Sequence, residues 1–439
     1  MAQGRRTKRA TPQHATRLVP LASPPTTPKM SSATTTLTSS CHCGATAYAF
    51  TVPTASLPLH THLCHCNISR RISGALCTSY VPIPPQHPPT APALAPLTRY
   101  DSSAVLSRYF CSACGAHLFL RYAADAHWEA ATGSLDRSDG AVRFDGHMWV
   151  GDTRDGGASD WIPRLAARPA RRWLVAPHAS PEVPLGWRGG RGGGDDDGAA
   201  PPPPPPPPTT GAAGADADDD ADADADADAR AERLRAHCHC NGVDFFLTRP
   251  TASPPAAAPA AAPAPFPDLL VPHRSGRSPA NPGSAAWWLS GCGRRYVAGA
   301  CACRSCRRAS GFDVAAWAFV PRANVVLASG APLPLPGPGA AGAPGAALGT
   351  LRPYASSAGV VRWFCGRCGA SVFWEGEGRP AVLDVAVGLL DAPEGARADG
   401  WLEWAPGRVS FAEEALSREV VEGLEAGLRQ WARREGGVA

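Results

Sequence analysis

The chain has 439 residues, 44% of them hydrophobic and 18% charged, with a formal net charge of +4. That length allows two or three globular domains, and so small a charge gives no basis for nucleic acid as the partner. No run of about 18 apolar residues occurs, so no membrane-spanning helix is expected, and the start lacks the apolar h-region of an export signal.

Residues 1–36 read as a basic, disordered tail. No acidic residue occurs before Asp101, and Arg5, Arg6, Lys8, Arg9 and Arg17 crowd the start. This charge pattern fits a mitochondrial leader, but Pro12, Pro20, Pro24 and Pro25 would break the amphipathic helix such leaders need. A solvated tail is the simpler reading, with Met30 as an alternative start. The expected location is cytoplasmic, with nucleus and mitochondrion as the alternatives.

From residue 37 the informative residue is cysteine. There are fifteen, and in a chain with no export signal thiols more often hold metal than form disulfides. Their order occurs twice. Cys41-His42-Cys43, Cys64-His65-Cys66 and Cys111-Ser112-Ala113-Cys114-Gly115 come first. Cys238-His239-Cys240, Cys301-Ala302-Cys303 and Cys365-Gly366-Arg367-Cys368-Gly369 follow, with Cys306 extending the middle cluster. The context repeats too. Arg108-Tyr109-Phe110-Cys111 matches Arg362-Trp363-Phe364-Cys365, Arg70-Arg71-Ile72-Ser73-Gly74 matches Arg307-Arg308-Ala309-Ser310-Gly311, and Gly133-Ser134-Leu135-Asp136 matches Gly388-Leu389-Leu390-Asp391. Self-similarity of this kind implies a duplicated unit.

Copy one is placed at 37–165, a linker at 166–236 and copy two at 237–435. The linker holds the run Pro201–Pro208, expected as a stiff polyproline spacer. It also holds an Asp/Ala alternation from Asp216 to Asp228, expected to stay solvated as a solubilising linker, with contact to a basic protein partner as the alternative. Cys41 and Cys111 are 70 residues apart, Cys238 and Cys365 127. The excess falls in Pro/Ala-rich stretches near 250–285 and 331–348, read as surface insertions, whose closure entropy grows only slowly with length. Ala45–Val52, Val243–Leu247, Ala315–Val320, Val360–Phe364 and Ser371–Glu375 are short, aromatic or β-branched, and predicted as strands. Phe411–Arg434 has apolar residues at helical spacing. The fold class is therefore mainly β, two zinc-binding domains joined by a disordered Pro/Asp-rich linker, with a C-terminal helix.

Zinc takes four ligands in a tetrahedron. Pairing each first CxC with the last CxxC gives two closed four-thiolate sites, Cys41, Cys43, Cys111 and Cys114 in copy one and Cys238, Cys240, Cys365 and Cys368 in copy two. A glycine after the CxxC permits the left-handed turn that aims amide N–H groups at the sulfurs. The middle cluster differs. Cys301, Cys303 and Cys306 supply three ligands and leave a fourth position open, the pattern of reactive zinc. An open zinc thiolate site suits an external small thiol, bound as thiolate. Arg307 and Arg308 follow at once and are candidates for holding a carboxylate-bearing ligand. In copy one Cys64 and Cys66 are followed by Ser69 where the third thiolate would stand, so that site is expected weak or empty, with His62 or His65 the candidate substitutes. Cys77 and Cys292 stand outside the pattern and read as ordinary core or loop thiols.

The ordered set CxC, CxCxxCR(R/K)xSG, FCxxCG and GxLD resembles the glutathione-dependent formaldehyde-activating enzyme family, the domain also found in centromere protein V. The resemblance covers about 37–165 and 237–410. It implies the Mss4-like fold, a structural zinc on the outer cysteines, and a glutathione-linked zinc on the central three. It implies carbon–sulfur lyase activity on S-hydroxymethylglutathione, with glutathione as co-substrate. Carried onto this chain, the active cluster is Cys301, Cys303 and Cys306. Against this stands a non-catalytic reading, in which both copies are zinc-stapled modules for protein or chromatin partners.

Overall fold

The computed structural model describes Met1 and residues 33–165, 167–189, 233–250, 264–273, 278–337 and 348–434. Residues 2–32 of the expected tail and both low-complexity runs of the linker lie outside these residues, whereas Thr34–Thr36 at the end of that tail begin a strand. The predicted strands are present as Ala47–Pro53, Asp244–Thr248, Ala315–Pro321, Val360–Cys365 and Ser371–Gly376, each within two residues of its expected bounds.

In copy one, Thr34–Ser40 pairs with Ala47–Pro53 as an antiparallel hairpin. A five-stranded antiparallel sheet carries, in order, Tyr80–Ile83, Trp128–Ala131, His117–Tyr122, Leu106–Cys111 and Leu97–Ser103. A smaller parallel sheet joins Leu59–Cys64, Val142–Met148 and Arg171–Arg172. Copy two repeats the plan. Arg233–His237 and Asp244–Thr248 form the hairpin, extended by Val325–Val326. The large sheet has seven strands, ordered Leu351–Ser357, Val360–Cys365, Ser371–Gly376, Val382–Ala386, Ala315–Pro321, Tyr296–Cys301 and Leu402–Trp404. In the two hairpins alternation buries every second side chain, whereas Tyr296–Cys301 and Val382–Ala386 inside the large sheet are buried on both faces. Leu37, Phe50 and Phe119 fill the core of copy one, and Leu234, Leu247 and Phe373 occupy the same places in copy two.

Three further expectations need correcting. The linker begins later than residue 166, because the chain stays on copy one: Arg171–Arg172 adds a strand and Trp173 is buried against that sheet. The insertion before Cys301 is not wholly loose. Ala264, Leu269 and Trp287 bury against Val297, Phe319 and Val382, covering an apolar sheet surface that would otherwise meet water. In the second insertion Leu333 and Leu335 are buried; residues 338–347 lie outside the described set. Finally, the C-terminal helix spans Arg418–Arg434. Phe411 takes a left-handed backbone and a single 3-10 turn follows, so the helix starts seven residues later than its apolar spacing suggests.

The two copies pack face to face through reciprocal contacts, as in an isologous dimer. Gly133 N–H donates to Gly311 O at 3.1 Å, and Gly388 N–H donates to Gly74 O at 2.9 Å. His42 Nδ1 meets Tyr354 Oη at 2.8 Å, and His239 Nδ1 meets Tyr100 Oη at 2.6 Å. A Cβ on Gly115 would collide with Phe364, and one on Gly369 with Phe110. The repeated SG, GxLD, FC and CG motifs thus face one another across the pair. Buried Arg397 of copy two adds bonds to the carbonyls of Asp155 and Gly157 in copy one. The C-terminal helix completes the pairing: Trp431 contacts Trp161 of copy one edge to face.

Candidate metal centres

Each outer cluster is assembled from two turns. In copy one the Cys41–Cys43 turn follows the first hairpin strand, and the Cys111–Cys114 turn joins two strands of the large sheet. Gly115 sits at φ 74° and returns its N–H to Cys111 O at 2.9 Å, closing the knuckle. Gly369 does the same for Cys365 at φ 81°. Cys43 Sγ lies 3.6 Å from both Cys41 Sγ and Cys111 Sγ. In copy two Cys240 Sγ lies 3.5 Å from both Cys238 Sγ and Cys365 Sγ. A tetrahedron of Zn–S bonds about 2.3 Å long has edges of roughly 3.7 Å, so both sets are spaced for one ion. Backbone N–H groups already point at the sulfurs, Thr46 to Cys41 at 3.3 Å and Val243 to Cys238 at 3.4 Å. No cysteine is in a disulfide.

Cys301, Cys303 and Cys306 form a third cluster, with sulfurs within 4.8 Å of one another. Cys301 ends a strand. Cys303 caps the helix Arg304–Ser310 and accepts the Cys306 N–H at 3.4 Å. That helix turn places Cys306 beside the other two thiols, and Gly311 at φ 76° ends the helix. Cys306 is held well below the ordinary thiol value, first by hydrogen bonds from Cys301 and Cys303, then by the Arg362 guanidinium. Arg362 is buried and donates from Nη2 to Cys306 Sγ at 3.3 Å and from Nε to Ser305 Oγ at 3.1 Å. Sequence reasoning passed over Arg362. Its signal was the arginine standing at the same place before each CxxC, Arg108 and Arg362.

Strand register shows what surrounds the cluster. Arg362 lies opposite Trp374, Trp374 opposite Asp384, and Asp384 opposite Phe319. Directly opposed residues share a face, so these side chains form one row running from the thiols toward the inserted segment. Asp384 accepts a fork from Arg379 at 2.5 and 2.8 Å, and Arg379 stacks 4.4 Å over the Trp374 ring.

The middle cluster of copy one keeps the backbone and loses a ligand. Cys66 caps the helix Asn67–Ser73 at φ −61°, ψ 152°, against −60°, 150° for Cys303. Ser69 N–H donates to Cys66 Sγ at 3.3 Å, as Cys306 N–H does to Cys303. Ser69 Oγ stands 3.6 Å from Cys64 Sγ and accepts from Arg108 Nη2 at 3.3 Å. Among the described residues Cys64 and Cys66 join no cluster of three metal-binding groups. Neither candidate histidine fills the gap. His65 is buried against His147 at 3.0 Å, and His62 packs edge-on to Trp173.

Arg307 and Arg308 serve the contact between the copies. Arg307 is buried and gives Nη1 to Gly133 O at 2.6 Å and Leu135 O at 3.2 Å. That corrects its assignment to a ligand: one step past Cys306 the helix has turned it toward copy one. Arg308 reaches Cys41 O at 3.3 Å yet stays partly exposed. Cys77 is buried and Cys292 exposed, both outside the clusters.

A family model described as glutathione-dependent formaldehyde-activating enzyme matches residues 36–152 and 292–403, just over half of the chain. The second match begins beyond the insertion, so Cys238 and Cys240 fall outside it, although they complete a cluster with Cys365 and Cys368. No curated protein and no solved structure gives a significant match.

Proposed function

Because the chain belongs to the glutathione-dependent formaldehyde-activating enzyme family, we propose that copy two is a zinc-dependent carbon–sulfur lyase acting on the adduct of glutathione and formaldehyde. The observation that carries this is the trio Cys301, Cys303 and Cys306, the first and last buried and Cys303 partly exposed, with Arg362 bonded to one of its sulfurs. Three thiolates suit zinc with a fourth position left for an exchangeable ligand, and zinc there supplies Lewis acidity and thiolate stabilisation. Three thiolates and a divalent cation sum to one negative charge, which the buried Arg362 offsets. In the lyase direction the hydroxymethyl O–H loses its proton, the C=O bond of formaldehyde forms, and the C–S bond breaks with sulfur leaving as thiolate. The chain's part is to stabilise that leaving thiolate and hold the adduct in place.

A second reading is a zinc-stabilised interaction module, favoured by the serine that replaces a ligand in copy one. Calorimetric titration of glutathione into the zinc-loaded full chain, beside its Cys306→Ser variant, separates the two. Binding by the parent that the variant loses supports the lyase reading, and formaldehyde turnover followed by NMR then tests the reaction. No heat from either protein, with zinc confirmed, sinks the lyase reading and leaves the module.

A further inference from the structure

Copy one has lost a metal ligand but kept its packing against copy two, and that packing brings its Cys41–Cys43 turn to the rim of the other copy's open cluster. His42 Nδ1 is taken by Tyr354 Oη at 2.8 Å. Tyr354 lies directly opposite Arg362 in the sheet, on the same face, and Arg362 bonds Cys306 Sγ. On the other side Arg308, from the helix that carries Cys306, bonds the carbonyl of Cys41, the residue before His42. His42 is thus held between the helix that carries Cys306 and a strand paired with the one that carries Arg362. Its electrostatic neighbours are Arg362, Arg308, Arg304 and Cys306. Arg304 is exposed and Arg308 partly so. No partner for His42 Nε2 is found among the described residues. The rim therefore gathers cationic and N–H donor groups, and the carboxylate that reaches it, Glu414, is taken by the Arg304 backbone N–H at 2.9 Å rather than by a guanidinium.

We propose that copy one completes the thiol site of copy two: His42, with Arg304 and Arg308, receives the carboxylates of an anionic thiol whose sulfur lies at the Cys301, Cys303 and Cys306 cluster. This rests on the thiol-binding reading above and adds the source of its selectivity. The arrangement supplies its own control. By the reciprocal packing His239 meets Tyr100 at 2.6 Å and faces Arg108 and Arg71, but the cluster there is the incomplete one.

The test is calorimetry on the zinc-loaded full chain with two probes, glutathione and the uncharged 2-mercaptoethanol. The proteins are the parent, His42→Ala, His42→Gln and His239→Ala. A lost hydrogen bond to a charged group implies ~10-fold weaker glutathione binding in His42→Ala. 2-Mercaptoethanol should bind it as it binds the parent, and His239→Ala should match the parent for both. Equal glutathione affinity in parent and His42→Ala overturns the proposal while leaving the thiol site intact. So does equal loss in the two histidine variants, or equal loss of both probes. If His42→Ala fails to hold the parent's zinc, His42→Gln is judged by the same criteria. A parent that binds neither thiol removes the site itself, and the proposal with it.

Discussion

An alanine at Gly369 would place its Cβ 2.6 Å from Phe110 Cγ and 2.9 Å from His117 Cε1, both in the other copy. Phe110 is fully buried and His117 nearly so, with its Nε2 bonded to Gly369 O at 3.0 Å, so neither ring has room to swing away. Gly369 also sits at φ 81°, which adds ~1–2 kcal/mol of left-handed strain for a residue with a Cβ. Gly44, at φ 80° with nothing within 4 Å of the place a Cβ would take, carries the strain without the collision. The matched pair isolates the contact between copies. Gly44→Ala should cost ~1–2 kcal/mol, and Gly369→Ala ~1–3 kcal/mol more, the usual penalty for overpacking a filled core. Guanidinium unfolding of the zinc-loaded full chain, followed by tryptophan fluorescence, reads the difference as a lower midpoint at unchanged slope. Equal midpoints for the two variants would mean that the copies do not press on one another as described.

Further outcomes follow from the same geometry. Three clusters predict three zinc ions per chain by elemental analysis, two in Cys306→Ser, and four in Ser69→Cys, whose backbone already has the Cys306 arrangement; three in Ser69→Cys would show the copy-one pocket to be wrongly shaped. Gly427→Ala should destabilise the C-terminal helix despite alanine's higher helix propensity. Its Cβ would collide with the carbonyl oxygen of Trp161, and faster amide exchange confined to Arg418–Arg434 is the readout. Burial first, then Arg108, lowers His117 to about 4. A depressed histidine contributes stability that is complete above its unfolded value near 6.5 and lost as pH falls toward about 4. His117→Ser should therefore flatten the acid limb of stability by up to ~1.4 kcal/mol per pH unit in that window, and an unchanged limb would contradict the burial.

The duplication and the three metal clusters were legible because thiolate spacing follows from the size of a zinc tetrahedron, and few other uses of CxC and CxxC compete. The face-to-face pairing was not. Ser73-Gly74, Gly133, Phe110 and Gly115 repeat in copy two, but repetition reports that positions are alike, not which residue each touches. The arginines show the same limit. Arg307 adjoins Cys306 in sequence and a helix turn carries it away, whereas Arg362, 56 residues on, reaches that sulfur because strand register delivers it.

The reciprocal packing of the copies also changes what a mutation can do. In a dimer of identical chains, any substitution at a two-fold contact strikes twice, and both halves must tolerate it together. Here each half is written separately, and the pair cannot come apart on dilution. One side can carry His117 against Gly369 while the mirrored position holds Ser371. One metal pocket can lapse to Ser69 while its counterpart keeps Cys306. Covalent linkage thus releases the two halves from symmetry, and a domain whose second cluster carries a serine in place of a thiolate is free to become part of its neighbour's machinery.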